Sequence, residues 1–165
     1  MTTLGINLKA PVFSRLGELR WLDALPGESF APRVSGADTG GALSITEALV
    51  TPMSGPPLHL HNNTDEWIYV LEGRVEFICG GTKFAGGPGD LVAIPRGMPH
   101  AFRNFSGKTA RLMGVFAPAG FELLLLDMQG RDPAEFAQRA AQYGLEIVGP
   151  QIEEPSATYQ PSDFG

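Results

Sequence analysis

The three histidines of the chain and one glutamate fall into a single pattern. His59 and His61 stand two apart in the run PPLHLH, Glu66 follows the polar stretch NNTD, and His100 lies far downstream. On an extended strand, side chains two apart point to the same face. Their Cα atoms lie about 6.5–7 Å apart, so two imidazoles there can converge on one ion. Glu66, at the start of the next strand, can return to that point, and His100, opening a distant strand, would close the set. Three neutral imidazoles and a carboxylate form a borderline ligand set for one divalent metal ion: Fe, Mn, Ni, Co, Cu or Zn. Spacing alone leaves the structural histidine open as the alternative.

Four donors can meet only if the chain between them is a rigid set of short elements. Residues 42–50, ALSITEALV, alternate, with Leu43, Ile45 and Leu49 on one face as in a half-buried strand. Glu47 lies on that otherwise apolar face, where an exposed position near the strand end is expected. Pro56 and Pro57 suit the start of a strand at 58–61. WIYVL (67–71) and RVEFIC (74–79) read as a hairpin around Glu72-Gly73. Gly80-Gly81 and GGPGD (86–90) mark further turns. TKFA, LVAIP, HAFRNF, RLMGVF and FELLLLDM (121–128) read as more short strands. Strands at this spacing with no helices between them predict an all-β fold.

After residue 128 the pattern changes. Asp132 is an N-cap, Pro133 fits the first helical position, and Glu135 completes a capping-box-like pattern. Phe136, Ala140 and Tyr143 share a face and Gly144 is a stop, so a short amphipathic helix is expected at about 133–143. The tail from Gly149, with Pro150, Pro155 and Pro161, reads as irregular. Residues 1–40 have no clean period; ELRWLDAL there reads as one or two strands or an irregular arm, and DTGG (38–41) as a turn.

A length of 165 residues fits one domain with one core. The 21 glycines and 14 prolines are spread along the chain, which many short turns explain better than low complexity does. The net charge of −6, with no Lys/Arg cluster, argues against a nucleic-acid or anionic-membrane partner. Cys79 is the only cysteine, so the fold stands without an intrachain disulfide. No signal peptide or membrane-spanning run is read, and a cytoplasmic location is the default expectation.

Residues 55–73, GPPLHLHNNTDEWIYVLEG, resemble the first cupin motif, and residues 89–104, GDLVAIPRGMPHAFRN, resemble the second. The second supplies Gly89, Pro95, Gly97, His100 and Asn104 at the family's spacing. The resemblance covers about residues 40–128. It implies an antiparallel cupin β-barrel (a jelly roll, or double-stranded β-helix) with a short C-terminal helix, forming one domain over 1–165 with an N-terminal arm at 1–39. It also implies that His59, His61, Glu66 and His100 ligate the metal. Asn104 is expected to bond backbone near a turn rather than to act in chemistry.

Within the cupins, the runs DTGGALSITEALVTPMSGPPLHLH and NFSGKTARLMGVFAPAGFE are similar to small bacterial proteins of the quercetin dioxygenase-like group. That resemblance implies a dioxygenase acting on a flavonol or another enolic or phenolic small molecule, with Glu66 also the catalytic base. Ile68, Phe77 and Phe102 would line the substrate pocket; the same residues also serve as ordinary barrel core. A metal-dependent isomerase or lyase, and a non-enzymatic cupin that binds a small ligand, are the alternatives. The hairpin register sets Cys79 opposite Glu66, inside the barrel. Trp67, Tyr69, Leu71 and Ile78 fall on the outer face, to be covered by the arm and helix or by a second subunit, and a homodimer is the expectation.

Overall fold

The computed structural model describes residues 5–8 and 10–156. In chain order the strands are β1 (Leu22–Leu25), β2 (Glu28–Val34), β3 (Ser44–Val50), β4 (His59–His61), β5 (Asp65–Glu72), β6 (Val75–Cys79), β7 (Thr82–Gly86), β8 (Leu91–Ile94), β9 (His100–Arg103), β10 (Ala110–Ala117) and β11 (Leu145–Ile147). One antiparallel sheet has the order β1-β2-β3-β10-β5-β8, the other β11-β4-β9-β6-β7. Val50, Ile68, Val70 and Leu112 of the first sheet meet Val75, Phe77 and Phe102 of the second in one core. The all-β expectation holds, as two facing sheets.

Among the described residues the α-helical segments are α1 (Gly36–Thr39), α2 (Phe121–Asp127) and α3 (Phe136–Gln142). Asp132 accepts a hydrogen bond from the Ala134 N–H, and a 3-10 turn at Pro133–Glu135 leads into α3. Gly144 follows with φ +76. Phe136 and Ala140 are buried, while Tyr143 is exposed. The tail is described as far as Ser156, and Pro161 lies outside the described residues. No described helix is long and apolar enough to cross a membrane.

Three readings of the sequence need correction. First, FELLLLDM is helical over Phe121–Asp127, not a strand. Four consecutive leucines carry no period, and a run this short is ambiguous between the two states. In the helix, Leu124 and Leu125 are buried while Leu123 and Leu126 are exposed. Glu122 fixes the helix start by accepting hydrogen bonds from the N–H groups of Gly120 and Gly36.

Second, β5 and β6 are not a hairpin. β5 pairs with β10 and β8, whereas β6 pairs with β7 and β9, so the chain passes from one sheet to the other at Gly73. Gly73 has φ +79, and a Cβ there would lie 2.9 Å from the Ala110 Cα, so glycine is needed for the close crossing as well as for the turn. Cys79 therefore pairs with His100 and Thr82 rather than with Glu66. The true hairpin follows, β6 to β7, around Gly80 and Gly81, both with positive φ as a tight two-residue loop requires.

Third, the phase of β3 is reversed. Ser44, Thr46, Ala48 and Val50 are buried on the inner face, while Ile45 and Leu49 are half-buried on the outer one. Glu47, expected to be exposed, is buried on that outer face between the guanidinium groups of Arg33 and Arg111. Arg33 also donates to Ser14, which fastens the N-terminal arm over the same face. Trp67, Tyr69, Leu71 and Ile78 are half-buried there and on the second sheet.

Candidate metal centre

The two histidines of β4 project inward from a three-residue strand flanked by Leu58 and Asn62. His59 pairs in register with His100 of β9, which brings the first and second motifs together. Glu66 comes from the other sheet, near the start of β5, where the preceding residue is anchored by paired hydrogen bonds from the Arg96 side chain to Asp65. The Gly97 N–H donates to the His61 carbonyl at 2.8 Å, so the β8–β9 turn also braces the ligand strand. Gly97 takes φ +79 to do so.

All four side chains are buried, and one ligand atom from each lies within 4.8 Å of all the others. The Glu66 Oε2 is 2.9 Å from His100 Nε2 and 3.2 Å from His61 Nε2. Donors bound to a common ion at 2.0–2.2 Å are about 3 Å apart when adjacent, so these spacings fit a shared metal. The outer nitrogens are committed elsewhere. His59 Nδ1–H donates to the Pro57 carbonyl and His100 Nδ1–H to the Met98 carbonyl, each at 2.9 Å. Such bonds orient the rings and leave both Nε2 atoms facing the common point. This donor set fits a divalent cation, which the same four residues would hold.

Electrostatics within the cluster follow from burial and mutual proximity. Burial, and after it the charges of His100 and His61, pushes His59 down to about 3, so its ring is neutral and free to donate a lone pair at neutral pH. Burial pushes the Glu66 carboxyl up, but hydrogen bonds from His100 and His61 together with their charge outweigh it, and Glu66 lies below the usual carboxylate range. For His100, burial is outweighed by the hydrogen bond and charge of Glu66, so its pKa is raised.

The cluster opens on an apolar cavity between the sheets, roofed by α2, α3 and β11 through Phe121, Leu125, Phe136 and Leu145. His59, His61 and Glu66 form part of its wall. Ile68 and Phe102, expected in the pocket, line it; Phe77 is buried and stacks on Phe84 at 5.5 Å, away from that lining. Phe116 and Phe121, stacked at 4.3 Å, stand beside His61 at 5.7 and 5.9 Å. Sequence reasoning missed both of these rings, and it missed Glu28 and Thr46, which also line the cavity. The alternation of Glu28 with Phe30 was an available signal, obscured by Pro32 two residues on. Asn104 bonds backbone, as expected: its amide donates to the Val50 and Lys108 carbonyls.

Cys79 is half-buried beside this centre. Burial, and after it the Glu66 charge, pushes its thiol up to about 11. At pH 8 a bulky maleimide is expected to label it about 100-fold more slowly than free cysteine. Labelling at nearly the free rate would put the thiol outside the barrel.

The family model for the cupin domain matches residues 47–116. Quercetin 2,3-dioxygenase of Bacillus subtilis (strain 168) is 42% identical over 53 residues, 32% of this chain and 16% of that protein. Polyketide synthase CurC of Streptomyces cyaneus is 32% identical over 108 residues, 66% of this chain and 64% of that protein. Among solved structures, the polyketide cyclase RemF from Streptomyces resistomycificus aligns with a TM-score of 0.58 at 25% identity, covering 66% of this chain and 80% of that one. The chain thus spans less than two thirds of the length of either curated relative. With both motifs built into one buried His/His/Glu/His cluster between two antiparallel sheets, and with the matching model lying across them, the chain carries a cupin domain.

Proposed function

We propose that the protein is a metal-dependent dioxygenase of an enolic or phenolic small molecule of flavonol type. The observation that carries this reading is the position of the His/His/Glu/His cluster at the wall of an apolar, aromatic-lined cavity. A ring with an acidic hydroxyl fits such a space: its oxygen meets the polar cluster and its body meets Ile68, Phe102, Phe116 and Phe121. A bound divalent ion would supply a Lewis acid for the hydroxyl and, if redox-active, a route for electrons to O2.

The remaining work falls to the chain. His59, His61 and His100 hold their rings in place through strand register and carbonyl bonds. Glu66, ionised at neutral pH, offers a lone pair to the substrate hydroxyl proton at its carboxylate. The apolar walls exclude water from the resulting anion. Similarity over part of the chain to a quercetin 2,3-dioxygenase supports this reaction. The longer matches to a polyketide synthase and a polyketide cyclase support a second reading, in which the same site rearranges an enolic substrate without O2.

The test is elemental analysis of the purified protein, followed by oxygen uptake with quercetin and small enols. At equal metal content, Glu66→Gln is expected to lower kcat about 100-fold with little change in KM. Undiminished turnover would remove the base assignment. Product formation under strict anaerobiosis would favour the second reading.

A further inference from the structure

Glu28 opens β2 just after the Pro26-Gly27 turn, and with Phe30 it faces into the cavity that the metal ligands border. It is 2% exposed, and neither carboxyl oxygen has a hydrogen-bond partner. Each of the other buried carboxylates has at least one partner. Glu47 lies between two arginines, Glu122 accepts from two backbone N–H groups, Glu66 faces two histidines, and Glu76 accepts from the Ser156 N–H. Leaving a carboxyl dry and unpaired costs free energy that packing alone would remove by selecting a leucine. Thr46 repeats the pattern: its hydroxyl is buried without a partner in the same cavity. Two unused polar groups in a wall that is apolar apart from the histidine–glutamate cluster are the arrangement by which a site fixes the orientation of a ligand.

We propose that Glu28 is a second recognition point for the ligand: its carboxylic acid hydrogen-bonds a carbonyl or phenolic oxygen remote from the ligand's metal-binding oxygen, selecting elongated, multiply oxygenated aromatic molecules. This rests on the enolic or phenolic ligand proposed above. An un-ionised carboxyl both donates and accepts, so either a ketone or a phenol satisfies it. A site built to pair a ligand oxygen discriminates strongly against the analogue that lacks it, because its own polar group is then left unpaired. Thr46 offers a further donor along the same wall.

The experiment compares two probes on the metal-loaded protein: 3-hydroxyflavone, and 3,4′-dihydroxyflavone with its added hydroxyl on the far ring. Dissociation constants are read from ligand fluorescence for the native protein, Glu28→Leu and Glu28→Gln. The native protein is expected to prefer the dihydroxy probe at least tenfold. Glu28→Leu should abolish that preference while binding 3-hydroxyflavone within about twofold of native, and Glu28→Gln should keep most of it. Difference infrared spectra of native protein minus Glu28→Gln should show the carbonyl stretch of an un-ionised acid, shifting when the dihydroxy probe binds. Equal native affinity for the two probes, or an equal loss for both in Glu28→Leu, overturns the role of Glu28 and leaves the proposed function standing. Failure of both probes to bind native protein rejects the ligand class itself, and the assignment with it.

Discussion

Replacing His100 with Ala is expected to weaken divalent metal binding by more than 100-fold while leaving the barrel folded. Losing even a partner that merely orients a ligand costs about 10–100-fold in affinity, and His100 is itself a donor. It is 2% exposed, aimed by the Met98 carbonyl, and 2.9 Å from Glu66. Its removal leaves three donors and a small space between β4 and β9, while the rest of the core is untouched. Metal content after equilibrium dialysis measures the affinity, and circular dichroism the fold. An ion that binds only the native state raises the melting temperature in proportion to its affinity, so the metal-dependent rise seen with native protein should vanish in the variant. Full metal content in a folded His100→Ala protein would show that the four side chains do not act as one site.

The second large effect concerns stability against pH. Burial pushes Glu28 up to about 8 from an ordinary 4.5. Between those values the folded state keeps a proton that the unfolded chain has released, so stability falls as pH rises, by about 1.4 kcal/mol per pH unit. Glutamine is neutral throughout and carries no such penalty. Glu28→Gln should thus resemble native protein near pH 4.5 and exceed it by several kcal/mol near pH 8, on the order of 4–5 kcal/mol for the full interval. Urea unfolding of both proteins at pH 5, 6.5 and 8 measures the difference, and every other titrating group cancels in the comparison. Parallel stability curves would mean that the Glu28 carboxyl is solvated or paired.

The His59/His61/Glu66/His100 cluster was legible because its residue types carry the chemistry, local period sets His59 and His61 on one face, and resemblance to the two cupin motifs adds Glu66 and His100. The barrel strands were legible for the same reason, and so were the start and end of α3, where Asp132, Pro133 and Gly144 act through their own backbones. What failed depended on partners distant in sequence. β3 carries hydroxyls and alanine inward and Ile45 and Leu49 outward, so apolar alternation pointed to the wrong face. Glu47 can be buried on that outer face only because Arg33 and Arg111 arrive from β2 and β10. Glycine after an alternating run signals a turn equally well when the next strand joins the opposite sheet, which is why β5 and β6 looked like a hairpin. Glu28 was missed because Pro32 interrupts the alternation it shares with Phe30, and a carboxyl on such a face reads as exposed until the opposite sheet and α3 are in place.

The ligand strand β4 is three residues long, and its full-length partner is β11, with Leu145 opposite His61 and Ile147 opposite His59; toward β9 the register holds only the His59–His100 pair. During synthesis, therefore, the two histidines of the first motif emerge long before the segment that completes their hydrogen bonding. Contacts between such distant stretches of chain form late and slowly. The alignment of His59 and His61 thus rests on a strand far downstream, and an ion held by them would bind tightly only after β11 has docked.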